Sequence, residues 1–447
     1  MKFTVPKNTL DPVKLSQTLQ DAITEEADTV VRETVAASKF FVSNLASKLD
    51  PTHWKLVRTK DGVQVFRQRQ KAIDHQAPDV FSSPLIQSSL GSHRHAMSRY
   101  CSRDSKSSST QDLSGSQAFT FTPSGIAEDS VMEKMRPPEI ALMALQGTID
   151  GSLDDCMFGV ITANDAEWRL RSSHINERFN NTWVLATIKE PTIQNPCQFL
   201  GVKWFTKKLP AVLSGVMQER DFLVIESVGF TRDSGGERVG YIILHSVTLR
   251  DIPEFTHLGM VRGSMSFCHI FRQSGPGKVD IFSRGFFDSR GDMPGRLSVA
   301  IAAEAAICCT NLVELAYMKK LRWLMSKLGK QNQRQGESRP CRCEACGNSF
   351  SKLLLSSTGS GVNCQICYNV VCAKCTVAKK IIMDVLVSGA VEEGTFHFCL
   401  KCFMTAKQRS GWDMVTSDLT HLSKHPTQSA STSVLETSST SESVAHA

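Results

Sequence analysis

Nine of the fifteen cysteines crowd into residues 341 to 402, and eight of them form four Cys-x-x-Cys pairs. The pairs are Cys343 with Cys346, Cys364 with Cys367, Cys372 with Cys375, and Cys399 with Cys402; Cys341 stands alone. A Cys-x-x-Cys turn sets two thiolates on one side of a tight loop, and two such turns complete a tetrahedral four-sulfur site. Eight thiolates therefore predict two zinc ions. Both are structural, because four protein ligands leave no position for a catalytic water. Redox use would need one pair in a thioredoxin-like βαβ setting, which this stretch lacks.

The core at residues 364 to 375, C-x2-C-x4-C-x2-C, resembles the FYVE-type finger, in which alternate pairs share a zinc. That resemblance implies that Cys343, Cys346, Cys372 and Cys375 hold one ion and that Cys364, Cys367, Cys399 and Cys402 hold the other. The four residues between Cys367 and Cys372 also make an independent site from adjacent pairs hard to close. A GATA-type DNA finger shares the seventeen-residue gap between Cys346 and Cys364. It leaves two pairs unexplained, and residues 381 to 399 hold no basic region, so no nucleic-acid partner is expected.

The departure from the FYVE pattern bears on function. That family grips a phosphoinositide with a basic patch at the third cysteine, a Trp before the first and an Arg before the seventh. Here the third cysteine lies in Gly361-Val362-Asn363-Cys364-Gln365, no Trp precedes Cys343 in the linker, and His397-Phe398 precede Cys399. Without guanidinium and imidazole donors there is little to hold a 3-phosphate. The finger is expected to act as a structural or protein-contact module.

The chain of 447 residues has room for two or three domains at roughly 150 residues each. A hydrophobic content of 41% suffices for a full core. The net charge of +7 is mild; it suits an anionic lipid surface or an acidic partner and is too dispersed to imply nucleic acid. The N-terminus shows no apolar h-region, and no run of about 18 apolar residues is present, so neither secretion nor a membrane span is expected. The expected location is cytoplasmic, with endomembrane surfaces as a peripheral site, and the sequon at Asn180 is expected to be idle.

Residues 1–50 read as an amphipathic helical segment, with apolar positions such as Leu19, Ile23, Ala27, Val30 and Val31 at helical spacing. Its acid-containing polar face favours packing on the next domain over lying on a membrane. Trp54 to Arg69 reads as a hairpin turned at Asp61-Gly62. A Ser-rich stretch of about 70–135 reads as a disordered insertion. Beyond it come a strand at 142–149, helices at 155–161 and 166–175, and strands at 199–205, 222–230, 239–247, 261–271 and 279–287. Along 239–247 both faces are apolar, so packing or a cavity is expected on each side. A helix of about 296–328, roughly 50 Å long, closes the series. Residues 331–340 read as a polar linker, 341–410 as the finger, and 415–447 as a disordered Ser/Thr-rich tail.

With that last helix in place, residues 51–330 resemble a START lipid-binding domain. The resemblance is carried by Trp54, Asp61-Gly62-Val63, Arg220-Asp221-Phe222, Ser246-Val247, Pro253, Gly259-Met260-Val261-Arg262 and Asp288-Ser289-Arg290-Gly291-Asp292-Met293-Pro294. It implies an α+β helix-grip fold, in which a curved antiparallel sheet wraps a long C-terminal helix around a tunnel for one lipid or sterol-like molecule. It also places Met293-Pro294 and residues 250–253 at the mouth. Glu226, inside the apolar run FLVIESVGF, reads either as a pocket group orienting a ligand hydroxyl or as an edge residue facing solvent. Arg262 reads as a structural ion-pair member.

No GxSxG, HExxH, Walker or Rossmann pattern occurs, so catalysis is not expected. Two functions remain. One is lipid binding, with the finger recruiting a membrane or a protein partner. The other is a finger scaffold whose START-like core is filled.

Overall fold

The computed structural model describes residues 10–44, 49–69, 130–177, 179–207, 217–329, 340–350, 361–386 and 389–424. The linker and most of the Ser-rich insertion lie outside the described residues. Helix α1 (Gln17–Asn44) comes first, followed by the hairpin β1 (Trp54–Lys60) and β2 (Val63–Gln68). The hairpin turn takes Asp61 and Gly62 at φ 49° and 80°, the left-handed pair that a two-residue hairpin demands. The end of the Ser-rich stretch is ordered, which corrects the expectation of disorder to residue 135. Ser130 caps the short helix α2 (Val131–Met135) by accepting from Glu133 N, and buried Met132 anchors it.

β3 (Met143–Asp150) then leads to α3 (Leu153–Val160), capped by Ser152, and α4 (Asp165–Ile175), capped by Asn164. The strands β4 (Phe179–Lys189), β5 (Phe199–Lys207), β6 (Arg220–Arg232), β7 (Arg238–Ser246), β9 (Ser264–Gly275) and β10 (Lys278–Asp288) follow, with the two-residue β8 (Val261–Arg262) beside β6. They form one sheet in the order β1-β2-β3-β10-β9-β7-β6-β5-β4, antiparallel throughout that path.

The final helix is not continuous. α5 (Gly295–Ile307) passes through a 3-10 turn at Cys308–Asn311 into α6 (Leu312–Leu324). By length and hydropathy Gly295–Leu328 could cross a bilayer, contrary to the sequence expectation, but 56% of its most apolar window is buried within the fold. It is a core helix.

Both faces of the sheet are covered, which explains the doubly apolar strands. On one face Ile23, Val30 and Val31 of α1 join Trp204, Ile225, Val239 and Ile243 in one core. Polar contacts fix α1 there: Arg272 donates to Ser38 Oγ and Val131 N to the Glu33 carboxylate. On the other face Val224, Ile242, Phe267 and Val279 pack with α3, α4, α5 and α6. α5 packs on β1, β2 and β10, while residues of its last turns face β5, β7 and β9. In a flat sheet β2 and β5 would lie about 29 Å apart, so the sheet wraps the helix.

The finger is docked on the outer side of α6. Met318, Leu321 and Leu324 share a core with Ile381 and Phe398 of the hairpin β11 (Thr376–Val385) and β12 (Val391–Cys399), and with Ala406 of α7 (Leu400–Gln408). A last helix, α8 (Gly411–Lys424), occupies the start of the expected disordered tail. This corrects residues 415–424; those from 425 lie outside the described residues. α8 holds because Met414 is buried and Trp412 meets the rings of Phe158 and Phe230 edge-on at 5.8 and 6.0 Å.

Candidate functional site

The eight cysteines gather as two tetrads in the crossed arrangement. Cys343, Cys346, Cys372 and Cys375 form one, and Cys364, Cys367, Cys399 and Cys402 form the other, with all sulfurs of a tetrad within 4.8 Å of one another. Two knuckles of the same design open them. Cys343 N donates to Asn348 O and Gly347 N to Cys343 O; Cys364 N donates to Asn369 O and Tyr368 N to Cys364 O. The turning residue has positive φ in each, 74° at Gly347 and 62° at Tyr368.

The donor set fits a tetrahedral thiophilic cation. The edge of a tetrahedron with metal–sulfur arms of about 2.3 Å is about 3.8 Å. Cys346 Sγ lies 3.8 Å from Cys372 Sγ, and Cys367 Sγ lies 3.8 Å from Cys399 Sγ. Backbone amides support the sulfurs: Cys372 N donates to Cys343 Sγ and Cys402 N to Cys399 Sγ, each at 3.3 Å. Within each tetrad the thiols divide. The Cys402 thiol and nearby amides hold Cys364 down to about 4, while burial pushes Cys367 up to about 11. Four crowded thiols cannot all ionise beside one another unless a cation joins them.

The second feature is an apolar cavity of about 70 Å³ between the sheet and α5. The sheet lines it with Phe205, Ile242, Leu244, Met265, Phe267 and Phe287; the helical side supplies Ala302, Ala305, Ala306, Cys308, Cys309 and Leu312. The small residues at 302, 305 and 306 leave the space. Burial pushes the Cys308 and Cys309 thiols up to about 12, so they behave as small apolar groups. Four polar side chains also reach the lining: Arg171, Glu177, Lys207 and His269.

Glu226 does not line this cavity, and it does not face solvent. It is fully buried behind the lining, where Arg171 Nη2 donates to its Oε2 at 2.8 Å and Lys203 Nζ to its Oε1 at 2.7 Å. Lys203 also donates to Thr162 O and lies 4.5 Å from the Phe199 ring centre and 4.7 Å from that of Trp168. Burial alone would raise the Glu226 carboxyl, but the two cations outweigh it and hold it at about 2. Burial lowers Lys203 to about 8 despite the carboxylate. Arg171 and Lys203 are the residues that sequence reasoning missed. The available signal was a Lys inside the apolar strand 199–207, which needs a buried anion. Arg262 pairs with buried Asp221, Nε to Oδ2 at 2.7 Å, while Trp204 Nε1 donates to the same oxygen.

No protein-family model matches the chain, and no curated protein matches it. Among solved structures it is similar to human STARD10, with 12% identity, a TM-score of 0.35, and coverage of 65% of this chain and 84% of that one. It is similar to human StAR-related lipid transfer protein 5 at 14% identity and TM-score 0.35, covering 65% and 97%. For the lipid transfer and protein localization domain of human StarD13 the values are 10% and 0.33, covering 68% and 98%.

Proposed function

We propose that this chain is a non-enzymatic START-like protein that holds a lipid or sterol-like molecule between its sheet and α5. Two structural zinc ions, one per cysteine tetrad, hold a FYVE-related finger, and the finger recruits a protein partner or a membrane surface from the cytoplasm. The observation that carries the ligand reading is the cavity itself: an apolar space walled by alanines in the middle of an otherwise close-packed core. Zinc suits the tetrads because its preference for four thiolates in a tetrahedron matches the donor set. In a site closed by four cysteines the metal supplies folding energy and no catalysis.

A bound lipid needs more room than about 70 Å³. The α5 wall supplies it by moving outward about the 3-10 turn at Cys308–Asn311, where the helix is already interrupted. The present size of the cavity also favours a second reading, a finger scaffold whose core stays filled. Mass spectrometry of an organic extract of the natively purified chain separates the two. A lipid near one per chain supports the first reading, and an extract still empty after incubation with mixed vesicles supports the second.

A further inference from the structure

Helix α6 belongs to two cores at once. Leu312, Val313 and Leu315 pack with the sheet and α3, while Met318, Leu321 and Leu324 further along pack with the finger. Its first residue, Leu312, lines the cavity, as does Val160 at the end of α3. The two helices meet there backbone to backbone: a Cβ on Gly159 would strike the Leu312 carbonyl. The seam between α3 and α6 is therefore one end of the cavity wall.

Polar contacts hold that seam from three directions. Within it, Lys319 Nζ donates to Phe158 O at 2.9 Å and to Ile161 O at 2.7 Å, carbonyls that the end of α3 leaves open. Lys320 Nζ, on a residue only 2% exposed, meets Asp155 Oδ1 of α3 at 2.5 Å and donates to Lys407 O of the finger at 3.2 Å. The finger's hairpin accepts two arginines through its main chain: Arg322 Nη2 of α6 donates to Met383 O at 2.6 Å, and Arg169 Nε of α4 to Val385 O at 3.1 Å. Helix α8 then reaches both helices. Trp412 Nε1 donates to Asp154 Oδ1 of α3, and Trp323 Nε1 of α6 donates to Asp418 Oδ2, each at 2.9 Å.

We infer that the finger and α8 act as a latch on α6, and that this latch keeps the cavity closed at its α3–α6 end. The inference rests on the reading of the cavity as a ligand site. Outward movement of α5 about Cys308–Asn311 needs a fixed arm on the far side of that turn, and α6 is that arm because it is held from two faces. With the finger undocked, Met318, Leu321 and Leu324 would meet water, and α6 would hold to the sheet domain by one face alone. The contact of Val160 with Leu312 would then part, and the ligand would leave by a route that the docked finger blocks.

The test compares the full wild-type chain with two variants by hydrogen exchange and by lipid retention. Trp412→Ala removes the ring contacts with Phe158 and Phe230 and the bond to Asp154; Asp418→Ala removes the acceptor of Trp323. Neither residue is a tetrad cysteine or lines the cavity. Amides of α3 and α6 should exchange at least about tenfold faster in both variants, while those of the central strands β7 and β9 keep wild-type rates. Lipid loaded from mixed vesicles should pass to excess empty phosphatidylcholine vesicles about tenfold faster, with zinc unchanged. Wild-type exchange rates in α3 and α6 of both variants overturn the latch, and so does an equal acceleration across β7 and β9, which marks global unfolding. Faster exchange with unchanged lipid loss overturns its control of the cavity. A wild type that takes up no lipid overturns the ligand reading, while the exchange rates still decide whether the finger holds α6.

Discussion

Arg171 and Glu226 form an ion pair with no solvent contact, Nη2 to Oε2 at 2.8 Å, and Lys203 completes a triad from the other side. The three groups come from α4, β6 and β5, so the triad fixes the α4 helix to the sheet behind the cavity. Replacing Glu226 with Ala would leave Lys203 buried without its carboxylate and Arg171 with only Glu177, 3.8 Å away. The expected loss of stability is about 3–5 kcal/mol, read from urea denaturation. A loss below about 1 kcal/mol would contradict the picture of buried cations that depend on the Glu226 carboxylate.

The metal reading makes a stoichiometric prediction. The purified chain should carry two zinc ions, and Cys364→Ser or Cys372→Ser should each remove one and unfold the finger, because structural zinc supplies on the order of 10 kcal/mol of folding energy. Elemental analysis together with limited proteolysis of the finger measures both effects. Retention of two ions in either variant would contradict the ligand sets.

His269 links stability to pH. Its folded pKa of about 4 lies below the ordinary value of 6.5. Between those values the unfolded chain binds the extra proton, so stability falls as pH drops through that window. His269→Phe should flatten the dependence of the melting temperature on pH between about 6.5 and 4 relative to wild type. Parallel profiles would mean that the ring is solvated.

Phosphoinositide selectivity should be absent. Asn363, Gln365 and His397 stand where the FYVE pattern places its basic donors, and Gln365 N is occupied by His397 O at 2.9 Å. Vesicles carrying phosphatidylinositol 3-phosphate should bind the chain no more tightly than vesicles of equal anionic charge. Several-fold tighter binding would overturn that expectation.

The parts legible in the sequence are those written locally. The Cys-x-x-Cys knuckles close within five residues, the Asp61-Gly62 turn defines its own hairpin, and most inner strands announce themselves by β-branched and aromatic runs between turns. What escaped depends on distant partners. β4 opens with the polar run Asn-Asn-Thr, and pairing with β5 makes it a strand from Phe179 onward. α8 reads as a Ser/Thr tail until Trp412 finds Phe158 and Asp154 on α3. The break at Cys308–Asn311 carries no Pro or Gly to signal it. Glu226 was visible as an anomaly, but its partners lie 55 and 23 residues away, on elements whose packing no local pattern sets.

The most direct test fills the cavity. Ala306 lines it from α5, is 5% exposed, and has room beyond its Cβ. Ala306→Phe should occupy that room at a cost of about 1–3 kcal/mol from overpacking, leaving the tetrads untouched. Lipid and zinc per chain are then measured side by side in wild type and variant. The account predicts at least a tenfold drop (order of magnitude, about 1.4 kcal/mol) in bound lipid with zinc unchanged at two. Undiminished lipid in a folded variant would contradict it, placing the ligand elsewhere in the molecule.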